Sequence, residues 1–392
     1  MLISTCSINE NRSIEHIEMN TKKTSSLKSD LDTPCLMLDL DILEVNLQKM
    51  KDLAGKAGKS LRPHAKTHKC SALAKRQIEM GAIGVCAAKL SEAEALTAAG
   101  LGGILITGPV TTKSKIDRIV SLLAKAPSLI VAVDNPEAVE MLGAALRENG
   151  LSMDVLVDID IGLKRTGVAP ANAVAFADLV ISQRNFRLRG IQAYAGHVQH
   201  IKSYDDRKNK SLGCLAEAAA VFKKLRPKLG SSPIFSASGT GTHDIDLAVP
   251  ETTELQVGSY VCMDAEYMAI GSDADESRFT AFTPALRLLT TVVSANQKGF
   301  VTVDAGLKSL YRDGALPQVL GHEGHGLRYD WFGDEYGKIS YDETTPPPAV
   351  GEIFELVTSH CDPTVNLFDR FHLTSGDEVV GSWAIDLRGC SQ

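Results

Sequence analysis

No apolar run in the sequence approaches the roughly 20 residues that a membrane-spanning helix needs. The first thirty residues are polar and mixed in charge, with no apolar stretch of the kind a secretory leader carries, and read as a flexible N-terminal tail. Positive charge is not in excess. With 41 Lys and Arg against 48 Asp and Glu, the net charge of -7 excludes a nucleic-acid or anionic-membrane surface as the main business. The eight cysteines form no C-x-x-C pair, and disulfide frameworks belong to short secreted chains. Reduced thiols in a cytoplasmic protein are therefore expected.

Hydrophobic residues make up 44% of the 392 and charged residues 23%, enough apolar surface for two domains or one large barrel with an addition. Eight apolar runs recur: 61–65, 84–88, 103–107, 129–134, 155–160, 190–194, 233–237 and 255–260. Helical spacing fills the segments between them, for example 72–80, 91–99, 136–149, 171–182 and 212–229. Continuous apolar strands belong to parallel sheets buried on both faces. The fold class is thus α/β, with a (β/α)8 barrel over 41–274. Beyond Asp275 alternating runs such as 286–294, 300–304 and 352–359 replace the helical spacing. They predict a mostly β domain over 275–392, which an early strand at 33–40 joins.

Four clusters could carry chemistry. The run Arg62-Pro-His-Ala-Lys66-Thr-His-Lys69 falls where the first barrel strand ends, and such barrels keep their active sites at that end. A lysine in a partly desolvated pocket has a lowered pKa, and its neutral amine can form a Schiff base with an aldehyde. A solvated basic loop is the plainer reading. After the seventh strand, Ser236-Ala-Ser-Gly239-Thr240-Gly241-Thr242 offers small residues and hydroxyls to an anion, and Gly258-Ser259-Tyr260 could complete the cradle. An ordinary turn would look the same. His360 and Asp362 close an alternating run; two apart on a strand, they would share a face and suit Mn2+, Mg2+ or Zn2+, with Cys361 facing away. A surface pair without metal is the alternative. Finally Arg165, Tyr194, His197 and His200 follow the fifth and sixth strands, where a histidine is the natural general base and a structural role the plainer one.

Together these segments resemble the D-threonine aldolase and eukaryotic-type D-serine dehydratase group, pyridoxal-phosphate enzymes of the alanine-racemase fold. The resemblance runs from about Asp32 to Arg388. Its landmarks are D-T-P at Asp32, R-P-H-A-K-T-H-K at Arg62, G-V-C-A-A-K-x-S-E-A-E at Gly84 and Q-A-Y at Gln192. G-T-G at Gly239, G-S-Y-x-x-M-D at Gly258, D-A-G-x-K at Asp304 and H-C-D-P-T-V-N at His360 complete it. It implies that Lys66 is the Schiff-base lysine, that Arg165 and Tyr194 line the pyridine ring, and that Gly239, Thr240 and Gly241 with Ser259 and Tyr260 hold the phosphate. His360 and Asp362 then bind a divalent metal, and His200 is the candidate base. The dehydratase branch shows H-x-C at the metal position. Asp362 follows the aldolase branch, which implies cleavage of D-threonine or a related small D-amino acid by a homodimer. Dehydration, a D-3-hydroxyaspartate substrate, racemisation and a non-catalytic carrier are the other readings. Departures from the pattern lie near the pocket: Ala237-Ser238 before Gly239, Lys164 and Thr166 around Arg165, Ala195 and His197 after Tyr194, and Tyr336 in D-E-Y-G.

Overall fold

The structure is a computed structural model that describes residues 26–321 and 326–392. Eight strands pair in parallel in chain order: β1 Ser60–Leu61, β2 Cys86–Ala87, β3 Leu105–Ile106, β4 Ile130–Val133, β5 Met153–Asp158, β6 Phe186–Ala193, β7 Ile234–Ala237 and β8 Glu254–Leu255. Leu255 of β8 lies beside Leu61 of β1. At the other seam the Ile83 N–H donates to Leu61 O (2.9 Å) and the Cys86 N–H to Pro63 O (2.8 Å), so the sheet closes on itself. The strands are mostly apolar because helices cover the outside and side chains fill the inside; every residue of β4 and β5 is buried. Helices begin where the sequence supplies caps, as at Asn135, whose side chain accepts from the Ala138 N–H (2.8 Å) ahead of Pro136.

The β8–β1 seam is held by charge. Arg62 donates to both carboxylate oxygens of Glu254 at 2.9 and 3.0 Å, and both side chains are buried. Gly84 has to be a glycine: with φ at +150°, a Cβ would lie 2.1 Å from Gly103 O.

The remaining strands form a largely antiparallel sheet. Leu286–Ser294 pairs with Phe300–Val303 and Ile353–Val357, and its other edge takes Cys35–Asp39, which pairs in parallel with Arg370–Ser375. One apolar core spans both parts, packing Leu43, Leu61 and Leu255 with Leu288, Phe354 and Phe371. This shared core fixes the sheet against the strand ends of the barrel.

The tail reading covers residues 1–25, which lie outside the described residues, but it fails for 26–30. Ser26 and Leu27 pair with Val379 and Glu378, and the Lys28 ammonium reaches Glu355 at 2.8 Å. Among the described residues no helix is long and apolar enough to cross a membrane, and seven cysteines are free thiols.

Candidate active site

A cavity of about 560 Å³ opens at the C-terminal ends of the strands, within the range that small-molecule sites occupy. His64, Lys66, Arg165, Tyr194, Gly239, Thr240, Ser259 and Tyr267 are on its wall. After β1 the chain makes one tight turn, Ala65–Thr67, with His64 as its cap: the Lys66 N–H donates to His64 Nδ1 (3.4 Å). The other ring nitrogen of His64 lies 3.1 Å from Thr107 Oγ1. Burial, helped by the Lys66 charge, pushes the His64 pKa down to about 3, so this ring stays neutral.

The Lys66 ammonium is in contact with the Asp362 carboxylate. This reverses the expected pKa. Burial alone would lower the lysine, but the charge of Asp362 outweighs it and holds the amine above its ordinary value. The same pairing holds Asp362 well below the usual carboxylate range despite its burial.

Arg165 reaches the wall from a tight loop. Asp160 Oδ1 accepts from the Gly162 and Lys164 N–H groups, both at 2.9 Å, and the Thr166 hydroxyl donates to Asp158 (2.9 Å). Burial raises the Tyr194 phenol, which remains protonated.

Across the cavity, Gly239, Thr240 and Ser259 offer backbone N–H groups that make no hydrogen bond among the described residues. A Cβ on Gly239 would lie 2.5 Å from Gln199 Oε1, so the backbone runs close to its support. That support is a buried network. Gln199 accepts from the Gly241 N–H (3.0 Å) and donates to Thr242 Oγ1 (3.0 Å), and Thr242 and Ser211 donate to Asp246. Burial raises Asp246 to about 6 even so. The wholly buried Arg207 donates to Gly241 O (2.8 Å) and to Ile201 O (2.5 Å). The three open N–H groups and the lysine opposite fit a phosphorylated aldehyde. Gly241 and Tyr260, expected to bind phosphate, have their N–H groups engaged within the chain. The Gly241 N–H goes to Gln199, the Tyr260 N–H to Thr240 Oγ1 (3.0 Å), and the Tyr260 ring is buried with its hydroxyl accepting from Gln77 (3.2 Å).

The strand expected to carry His360 and Asp362 ends at Val357. His360 caps a short helix, Cys361–Val365, and Asp362 lies in its first turn. The helix follows because Asp362-Pro363 suits a first turn, where Pro needs no N–H partner. Cys361 therefore does not face away: its N–H (3.0 Å) and its thiol (3.2 Å) both reach Asp264 Oδ2. The same oxygen lies 3.0 Å from His360 Nδ1. Burial opposes protonation of His360, but this hydrogen bond and the charges of Asp362 and Asp264 raise it to about 9. Asp264, His360 and Cys361 bring donor atoms within 4.8 Å of one another, a set able to hold a divalent cation.

His200 stands next to them. Its Nδ1 is 3.1 Å from Glu266 Oε1, its ring meets Tyr267 edge-on at 4.5 Å and its buried Nε2 has no partner. Burial lowers its pKa to about 4, leaving a neutral base. His197 lies elsewhere, with Nε2 3.8 Å from Cys214 Sγ. Sequence reasoning assigned no role to Asp264 or Glu266. The available signal was the pair of carboxylates two positions apart, beginning four residues after Tyr260 of the Gly258-Ser259-Tyr260 turn.

Residues 38–265 match the family model of the alanine racemase N-terminal domain, and residues 285–374 match that of the serine dehydratase domain. The 3-hydroxy-D-aspartate aldolase of Paracoccus denitrificans (strain Pd 1222) is 36% identical over 367 residues, 92% of this chain and 93% of that protein. The D-threonine aldolase of an Arthrobacter species is 36% identical over 363 residues, 92% of this chain and 94% of its own. The crystal structure of D-threonine aldolase from Filomicrobium marinum superposes with a TM-score of 0.88 at 35% identity, covering 94% of this chain and 98% of that one. The chain belongs to this alanine racemase-like family, which includes D-threonine aldolase and 3-hydroxy-D-aspartate aldolase.

Proposed function

We propose that this family member is a pyridoxal 5'-phosphate- and divalent-metal-dependent lyase that cleaves D-threonine and related D-β-hydroxy-α-amino acids to glycine and an aldehyde. One observation carries the reading: a lysine amine on the wall of a cavity meets the Asp362 carboxylate, beside the neighbouring imidazoles of His360 and His200, while Gly239, Thr240 and Ser259 of the same wall offer open N–H groups. The relatives at 36% identity, both aldolases, support it.

In this reading Lys66 presents its amine to the cofactor's aldehyde. Arg165 and Tyr194 line the ring, and the N–H groups of Gly239, Thr240 and Ser259 meet the phosphate while Gly241 and Tyr260 brace their loop. His360 and Asp362 hold Mn2+, Mg2+ or Zn2+. When bound, pyridoxal phosphate supplies a sink for the electron pair of the breaking Cα–Cβ bond, and the metal makes the β-hydroxyl more acidic. His200 Nε2 takes the hydroxyl proton, and the Tyr267 ring beside it keeps that face dry. Lys89 and Lys115 are also on the cavity wall and make no ion pair among the described residues, which suits a substrate with a second carboxylate such as D-3-hydroxyaspartate.

The barrel then serves as the cofactor domain and the β domain supplies the metal ligands. The protein works as a cytoplasmic homodimer. Exposed Tyr311, Leu316, Phe332 and Tyr336, close to the loop that touches Glu266, give a second copy an apolar surface to cover.

The deciding experiment incubates the protein with pyridoxal phosphate, Mn2+ and D-threonine. Glycine and acetaldehyde that disappear on chelation are expected. 2-Oxobutyrate and ammonia would make the enzyme a dehydratase despite Asp362.

A further inference from the structure

Glu266 is a carboxylate at this site without a role so far. It belongs to the short helix Ala265–Met268, whose cap Asp264 accepts from the Tyr267 N–H (3.0 Å) through Oδ1. Asp264 Oδ2 is already engaged by His360 and Cys361. Glu266, two residues on, reaches the other histidine: its Oε1 is 3.1 Å from His200 Nδ1, while its Oε2 is farther, 3.7 Å, from His360 Nδ1. No lysine or arginine pairs with Glu266 among the described residues.

Gly314 closes the other side of this carboxylate. It sits at φ +74°, and a Cβ there would lie 2.8 Å from Glu266 Cδ and 2.9 Å from Oε2. The backbone of that loop therefore confines the carboxylate against the imidazole. His200 has one nitrogen facing Glu266 and the other buried without a partner. A carboxylate on Nδ1 favours the tautomer with its proton there, which leaves the Nε2 lone pair free to accept a proton.

We infer that Glu266 is the positioning residue of the general base, fixing the ring orientation and Nδ1–H tautomer of His200 much as Asp264 fixes His360. One turn of chain thus supplies both carboxylates, one for each histidine. This rests on His200 being the base proposed above. The logic is that of any base oriented by a third group.

The test uses the enzyme loaded with pyridoxal phosphate and Mn2+, turning over D-threonine. Glu266→Gln should lower kcat about 10- to 100-fold, a part of what a general base contributes, with KM within about twofold. Mn2+ affinity, measured by electron paramagnetic resonance, should be unchanged. In the protein labelled with 15N-histidine, long-range 15N–1H spectra should show His200 protonated on Nδ1, and Glu266→Gln should shift that tautomer balance while other histidine signals persist. A wild-type kcat in Glu266→Gln, alongside a dead His200→Ala, would overturn the inference. So would a tenfold loss of Mn2+ affinity, which would assign Glu266 to His360. Wild-type kcat in His200→Ala would instead remove the base assignment itself.

Discussion

Lys66 and Asp362 are in direct contact although 296 positions separate them in the chain. The lysine comes from the end of the first barrel strand, the carboxylate from a helix of the β domain. A barrel alone would place the amine in a cavity; the added domain brings an acid and an imidazole to it. That juxtaposition distinguishes this site from one that only needs to hold a cofactor.

Lys66 should be the residue that pyridoxal phosphate labels. Borohydride reduction of the treated protein is expected to add one pyridoxyl group, on the peptide that contains Lys66, and none in Lys66→Ala. Equal labelling of the variant would place the Schiff base elsewhere. Asp362→Asn should keep the label and bind Mn2+ at least about tenfold more weakly, as the proposed ligand role of its carboxylate requires.

Gln199 should set cofactor affinity without touching the cofactor. It pins the Gly241 N–H and Thr242 from a buried position. Gln199→Leu keeps the volume but leaves that N–H unpaired, which costs about 1–3 kcal/mol. Its pyridoxal phosphate dissociation constant, read by spectrophotometric titration, should rise about tenfold or more. An unchanged constant would show that the loop needs no such brace.

The barrel was legible because its strands are continuous apolar runs. All eight expected runs overlap a strand, although β1, β2, β3 and β8 shorten to two paired residues each and the runs 61–65 and 255–260 share a single residue with theirs. The β domain was legible from alternation, as at Leu286–Ser294, where the predicted and observed bounds coincide. What failed depended on partners distant in sequence. The H-x-D pair looked like the end of a strand, but Pro363 turned it into a helix and moved Cys361 onto Asp264. Residues 26–30 looked like tail because nothing local shows that Glu378 and Val379 will pair with them. The direction of the Lys66 shift could not be read from its own segment, since the deciding charge is Asp362.

Removing one partner of the seam pair should be severely destabilising. Arg62 and Glu254 are buried and bidentate, so Glu254→Gln leaves a guanidinium without its countercharge. A loss of about 3–5 kcal/mol is expected by urea unfolding. Replacing both by Met and Leu should cost less than Glu254→Gln alone. If the double variant is the weaker of the two, the pair contributes more than mutual compensation.

Acid should unfold the protein well before its carboxylates titrate fully, because two histidines are buried neutral. His64 and His68 are both pushed below their ordinary 6.5, chiefly by burial, to about 3 and about 4. The folded state therefore binds fewer protons than the unfolded chain at mildly acidic pH. The stability each contributes is complete above pH 6.5 and falls away as pH drops toward the folded values. By pH 5 the loss reaches about 2 kcal/mol per histidine, at 1.36 kcal/mol per pH unit. The urea midpoint should thus decrease steadily from pH 7 to pH 5. His68→Gln carries no titrating group at that position, so its curve should be flatter even if its midpoint at pH 7 is lower. Parallel curves for the variant and the natural protein would mean that His68 is protonated as readily folded as unfolded.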